Sequence, residues 1–440
     1  MASKALSNPL FQYVAKRGYA GALALPAATE AKIQSCVTAT NTLVASLENG
    51  SPVTRITVAF KAGSRYEPPT ETGIAHLLRS AAGLTTGNAS SFIIARKLAQ
   101  AGASVTASGD REFLYYTLET TQANLNGAIE CLHNLVSCQE FRPWEISDIT
   151  PRLKYDIVSL SPQIRAIDLL HKAAYRTGLG NSLFMSPRRI GSFSSESLQH
   201  FAQTTVIPSR CAVVVVGDSQ EKGLLIAQAL QLPCANTEAY CKPTKYFGGE
   251  MRKEMGGDLA HVALALPGLE ANNPGALALA VAAKALGSGP STKWGADHSL
   301  LSQAIGNIGP FAAAGFNVSY SDGGLFGVVL SAPKDEVCNA VKAVAKLLKN
   351  CPLDSNSIAA GKNQLKLQVL TEAENGTALA ESLAAQGLYT GSVKSPTALA
   401  HAISSISDSD VVGALQKISA CKLSMGSVGN LAFVPWVDEL

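Results

Sequence analysis

One pattern occurs twice in this chain, and it constrains the fold more than any other feature. Residues Ile190 to Leu198 form a Ser-rich lead-in to a helix ending near Thr204. A strand, Ala212 to Val216, follows and stops at Gly217-Asp218. The same order returns at Ile403 to Val411, then Lys422 to Val428, then Gly429-Asn430. The lead-ins lie 213 residues apart (190 to 403) and the glycines 212 apart (217 to 429). A Ser or Asp cap before an apolar-periodic stretch marks a helix start in both copies, and a fixed repeat distance points to duplicated units.

The openings of the halves agree as well. Arg55 to Phe60, broken by Gly63, resembles Ala260 to Leu266, broken by Gly268. Glu112 to Leu118 and Leu325 to Leu330 alternate as strands do. Helical periodicity covers Leu125 to Cys138, Asp335 to Lys349 and Ile358 to Leu370. Strands and helices in irregular order, with hairpin-like neighbours, predict an α+β fold of two homologous sandwich domains rather than a doubly wound parallel sheet. The expected layout is an N-terminal segment over 1–30, a first domain over 31–232, a linker over 233–255 punctuated by Pro243, Gly248 and Gly249, and a second domain over 256–440.

Composition excludes several roles. Up to Ala28 the only side chains charged at neutral pH are Lys4, Lys16 and Arg17, so the other 33 basic residues balance 33 acids. A neutral remainder gives no electrostatic case for nucleic acid. The basic, acid-free start, with Ser3 and Ser7, reads as a mitochondrial targeting segment cut near Tyr19/Ala20 rather than a secretory signal. No run reaches the roughly 20 apolar residues of a membrane span; Ala276 to Leu286 is short and contains Lys284. Nine scattered cysteines without a C-x-x-C pair predict free, mostly buried thiols.

The chemistry turns on His76-Leu77-Leu78-Arg79-Ser80. A His-x-x-Glu-His motif on one helix supplies two zinc ligands and a general base. Here Arg79 stands where the carboxylate belongs and Ser80 where the second imidazole belongs. The surrounding residues, Gly63-Ser64-Arg65-x-Glu67, Gly73 to Leu78, Ala101-Gly102-Ala103, Arg111-Glu112 and Tyr115-Tyr116, resemble the pitrilysin family of metallopeptidases. Within it the likeness runs to the non-catalytic core subunits of mitochondrial ubiquinol–cytochrome c reductase, respiratory complex III.

The resemblance implies two pitrilysin-like domains and a third zinc ligand, a glutamate, on the helix Glu145 to Leu160. Pro151 to Asp156 offers no such Glu. His76 is therefore expected as the lone remnant of the site, with no catalytic, cofactor-binding or metal residues and no cofactor. The implied role is an assembly subunit on the matrix face of the inner membrane, partnered by a core 1-like subunit in a dimeric complex. The alternative is a processing-peptidase-type subunit, either a metalloendopeptidase or its presequence-binding half. For that reading Gly287 to Pro290 would be a shortened presequence loop, although a plain turn is the simpler account. The acids Glu67, Glu71, Glu112 and Glu119 alternate with Arg65 and Arg111, so no acidic wall for a basic presequence is evident.

Overall fold

The computed structural model describes residues 32–233, 240–287, 299–306 and 309–440. The expected targeting segment lies outside them, as do Ser288, Gly289 and Pro290. Two mixed sheets organise the chain. The first comprises β1 (Lys32–Val37), β2 (Leu43–Glu48), β3 (Val53–Phe60), β4 (Ser104–Gly109), β5 (Leu114–Thr121) and β6 (Cys211–Val216), in the order β1-β2-β6-β3-β5-β4. The second comprises β7 (Gly249–Glu254), β8 (Leu259–Pro267), β9 (Ala312–Ser319), β10 (Gly324–Pro333) and β11 (Ser424–Gly429), in the order β7-β11-β8-β10-β9.

The repeat read from the sequence is a repeat of topology. In each sheet one parallel pair, β2 with β6 or β7 with β11, is followed by antiparallel neighbours. The two glycines 212 residues apart close equivalent strands. Gly217 and Gly429 both have positive φ, 94° and 113°, and a Cβ there would meet the carbonyl oxygen of the first residue of the neighbouring strand, Val53 or Leu259, at 2.7 and 2.4 Å. Only glycine satisfies both demands. The α+β, two-sheet fold is as expected, with one difference: segment 233–255 contributes β7, which pairs with β11. Its Pro and Gly residues hid a short, half-exposed edge strand of weak alternation.

Each sheet is buried on both faces, and this determines how the halves join. β6 reads Cys-Ala-Val-Val-Val-Val and is buried throughout, as a central strand covered on two sides should be. Val213 and Val215 face helices of their own half, including 125–137, 195–205 and 220–229. Val214 and Val216 instead meet Leu379, Ala380 and Leu383 of helix Gly376–Thr390, from the other half. Reciprocally, Ala166, Leu170 and Ala174 of helix Pro162–Tyr175 cover Ala263, Ala265 and Val428 of the second sheet. The second sheet's other face packs on helices 275–286, 337–350 and 408–419. Gly426 permits the close approach of helix 162–175: a Cβ there would lie 2.3 Å from the Ala166 carbonyl oxygen. A helix exchanged in each direction makes the two halves one packed unit, which segment-by-segment reading cannot reveal.

Charged groups reinforce the join. The buried Arg65 guanidinium pairs with Glu112 and reaches across to Ser321 Oγ at 2.7 Å and Asp322 Oδ1 at 2.8 Å, on the turn between β9 and β10. Glu112 in turn accepts from the Ser321 amide and hydroxyl at 3.0 and 2.6 Å. Asp322 also accepts from the Thr244 amide at 2.8 Å. Elsewhere on the first sheet, Glu119 of β5 pairs with Arg55 of β3 at 2.8 Å and accepts from the Thr377 hydroxyl of the exchanged helix. Eight described cysteines are free, but only Cys131 and Cys211 are buried.

Candidate functional site

His76 sits on the seven-residue helix Ile74–Ser80. Gly73 opens that helix without a capping side chain, and Glu67 supplies the missing acceptors from seven residues upstream of Ile74. Its Oε2 takes the Gly73 N–H and its Oε1 the Ala75 N–H, both at 2.9 Å. These oxygens satisfy two orphan donors of the helix N-terminus, which favour the carboxylate, while burial pushes the Glu67 carboxyl up to about 8. The helix then buries Ile74, Leu77 and Leu78 in the first core, which turns His76 toward the loop at Phe184-Met185.

The His76 ring is fully buried. The Met185 N–H donates to His76 Nδ1 at 3.2 Å, so Nδ1 must be the bare nitrogen and Nε2 carries the proton. A metal-ligating imidazole is held the other way, with its remote N–H donating to an acceptor and the lone pair facing the ion. Nε2 points at Asp156 Oδ2, 3.6 Å away, too long for a hydrogen bond. Phe184 packs edge-on against the His76 ring, with 5.5 Å between centroids. Over the same Phe184 ring lies the Arg79 guanidinium, 5.7 Å from its centroid.

Asp156 corrects the expectation for the third-ligand helix. The span 145–160 is two helices, Pro143–Asp148 and Thr150–Val158, and the second brings a carboxylate to His76 after all. A search for Glu alone passes over it; the usable signal was that Asp156 adjoins the buried pair Leu153 and Ile157. The loop residues Phe184 and Met185 carried no signal of their own.

Burial, and then the neighbouring Arg79, hold the His76 pKa down at about 4. His171, buried between Tyr320 Oη and the Ile167 carbonyl at 2.8 Å each, is likewise held well below its ordinary value. Both rings fold neutral. Unfolded, each binds a proton below about pH 6.5, so the unfolded state gains protons first on acidification. Their stabilisation is complete above that pH and is lost as pH falls toward 4, at about 3 kcal/mol for His76. Urea midpoints of the wild type minus those of a His76→Gln/His171→Gln variant should decline across that window. A difference constant between pH 7 and pH 4.5 would show that neither ring is held neutral.

Little space remains beside the imidazole. The cleft lined by His76, Arg79, Gly109, Asp110 and Phe113 holds about 10 Å³, room for about one water. A larger cavity of about 510 Å³ is lined by Phe184, Met185, Ile157 and Ile164. Arg165, Lys172, Arg176 and Lys253 also line it, against Glu67 and Asp168. Glu67 is committed to its helix, and Asp168 pairs with Arg111 at 2.7 Å. Among the described residues, no three His, Cys, Asp or Glu side chains converge as a metal site.

This duplicated sandwich with an inverted zinc-motif helix defines a class. Residues 43–187 match the family described as Insulinase (Peptidase family M16), and residues 192–365 match the Peptidase M16 inactive domain. The chain belongs to the M16 peptidase family. It is 35% identical over 406 residues to the mitochondrial cytochrome b-c1 complex subunit 2 of Homo sapiens, and 36% to that of Mus musculus, covering 90% of this chain and 90% of each relative. The mitochondrial-processing peptidase subunit alpha of Solanum tuberosum is 28% identical over 93% of this chain and 84% of its own length.

Proposed function

We propose that this chain is a non-catalytic structural subunit of the mitochondrial cytochrome b–c1 complex, respiratory complex III, required for its assembly and stability. Its place there is the matrix face of the inner membrane, paired with a homologous core 1-like subunit in a dimeric complex. Likeness to subunit 2 relatives along nine-tenths of the chain supports the assembly role. Among the described residues, no helix is long and apolar enough to cross a membrane, as befits a peripheral subunit. Exposed Trp144, Tyr155 and Val158, on consecutive helices, are the kind of apolar surface that a permanent partner covers.

The donor set at His76 carries the non-catalytic part of the reading. A catalytic zinc takes three protein ligands and an activated water. Present instead are one imidazole held in the unsuited tautomer, one carboxylate on a side chain shorter than glutamate, a hydroxyl and a guanidinium. These residues do not fit a zinc ion, and a guanidinium stands where the motif places the carboxylate that deprotonates the metal-bound water. The charges of Arg79 and Arg152, both of which depress His76, outnumber the single carboxylate of Asp156.

The processing-peptidase relative favours a second reading, a presequence-binding half. The cavity beside the site opposes it, since its uncommitted charges are cationic and a presequence is basic. A tagged chain purified from mitochondrial membranes should co-migrate on native gels with the b- and c1-type cytochromes. Migration with a processing-peptidase partner instead, free of cytochromes, would favour the second reading and overturn the first.

A further inference from the structure

Away from the degenerate zinc motif, a thiol and an imidazole meet at the end of helix Leu125–Ser137. His133 Nδ1 lies 3.1 Å from the Leu230 carbonyl oxygen, which can only accept, so Nδ1 carries the ring proton. That leaves Nε2 with its lone pair turned to Cys138 Sγ, 3.7 Å away. From the opposite side Asn88 Nδ2 donates to the same sulfur at 3.5 Å, while also donating to Asn134 Oδ1 at 2.9 Å. The backbone fixes the thiol in place: the Gly87 N–H donates to the Cys138 carbonyl at 2.8 Å, and Thr86 bridges Gln139.

We propose that Cys138 is a modification site, a thiol activated by His133 that exchanges with small-molecule disulfides. A base with a fixed tautomer, oriented by a third group, is the arrangement that activates a nucleophilic thiol. The Asn88 amide, 3.5 Å from Sγ, adds a donor whose hydrogen bond strengthens as negative charge develops on the attacking sulfur. In the step, the Cys138 proton passes to His133 Nε2 and the thiolate attacks one sulfur of the disulfide. The Sγ–S bond forms as the original S–S bond breaks, and the departing thiolate takes the proton from the imidazolium. Cys138 is thereby oxidised to a mixed disulfide and one small thiol is released reduced, so no further oxidant is needed.

The other described thiols lack this arrangement. Burial pushes Cys131, Cys211 and Cys351 up and away from the thiolate. Cys241 and Cys421 are more exposed than Cys138, so access alone would make them react first. The order of reaction therefore separates activation from exposure.

The test is a time course of the purified full chain with glutathione disulfide at neutral pH, read by peptide mass mapping. Cys138 should form its mixed disulfide at least about tenfold faster than Cys421, because an unactivated thiol is only a few per cent thiolate at that pH. His133→Gln keeps a side-chain amide able to donate to Leu230 but removes the base. It should bring the Cys138 rate to or below that of Cys421 and leave Cys421 unchanged. Asn88→Ala should slow Cys138 severalfold and leave Cys421 unchanged, which separates it from any general loosening after Asn134 Oδ1 loses its donor. A Cys138 rate no greater than that of Cys421 in the wild type, or one untouched by His133→Gln, would overturn the proposal.

Discussion

Mitochondria lacking this chain should contain no assembled cytochrome b–c1 complex and no quinol:cytochrome c oxidoreductase activity, and His76→Ala should restore both in full. The two outcomes belong together because, in the proposed role, the chain contributes surfaces rather than reacting groups. His76→Ala leaves the Met185 amide without its acceptor, a penalty of about 1–3 kcal/mol for a buried donor. It also removes a buried ring from beside Phe184. Neither change reaches Trp144, Tyr155 or the exchanged helices. Native gels and quinol oxidation rates of the deletion strain, complemented with each version, make the comparison. A complex that assembles and turns over normally without the chain would remove the structural role; an assembled but inactive complex with His76→Ala would restore a chemical one.

Arg65→Met should be the most damaging single substitution at the join between the halves. Arg65 is buried and serves Glu112, Ser321 and Asp322 together. Methionine keeps much of the volume but leaves the Glu112 carboxylate, itself 1% exposed, without its cation. Breaking a buried pair from one side costs about 3–5 kcal/mol, far more than an exposed ion pair contributes. The triple variant Arg65→Met/Glu112→Gln/Asp322→Asn should recover part of that loss, since it removes the stranded charges. Urea unfolding of the three proteins gives the numbers. A loss below about 1 kcal/mol for Arg65→Met would show that water, not Arg65, solvates Glu112.

Much of this architecture was legible in the sequence because each signal was local. The decisive cues were Gly217 and Gly429, whose spacing marked the duplication and whose positive φ the structure explains. The paired strands Arg55 to Phe60 and Ala260 to Leu266 followed from their β-rich runs. What stayed hidden was non-local. Nothing in Pro162 to Tyr175 says that it covers the other half's sheet, because an apolar helix face does not name its partner. Glu67 and Glu112 read only as acids alternating with Arg65 and Arg111, yet one caps a helix and the other ties down the turn at Ser321. At the site, Arg79 and Ser80 were plain from the motif. Asp156 and the Met185 amide were not, since the first is shorter than the expected ligand and the second is a backbone group with no residue signature.

Metal content tests the central claim most directly. The full chain, purified without chelators, dialysed against excess zinc and then passed through a desalting column, should retain substoichiometric zinc by elemental mass spectrometry and leave a mitochondrial presequence peptide uncut. One zinc per chain, lost on His76→Ala or Asp156→Asn and accompanied by cleavage of the peptide, would contradict the account.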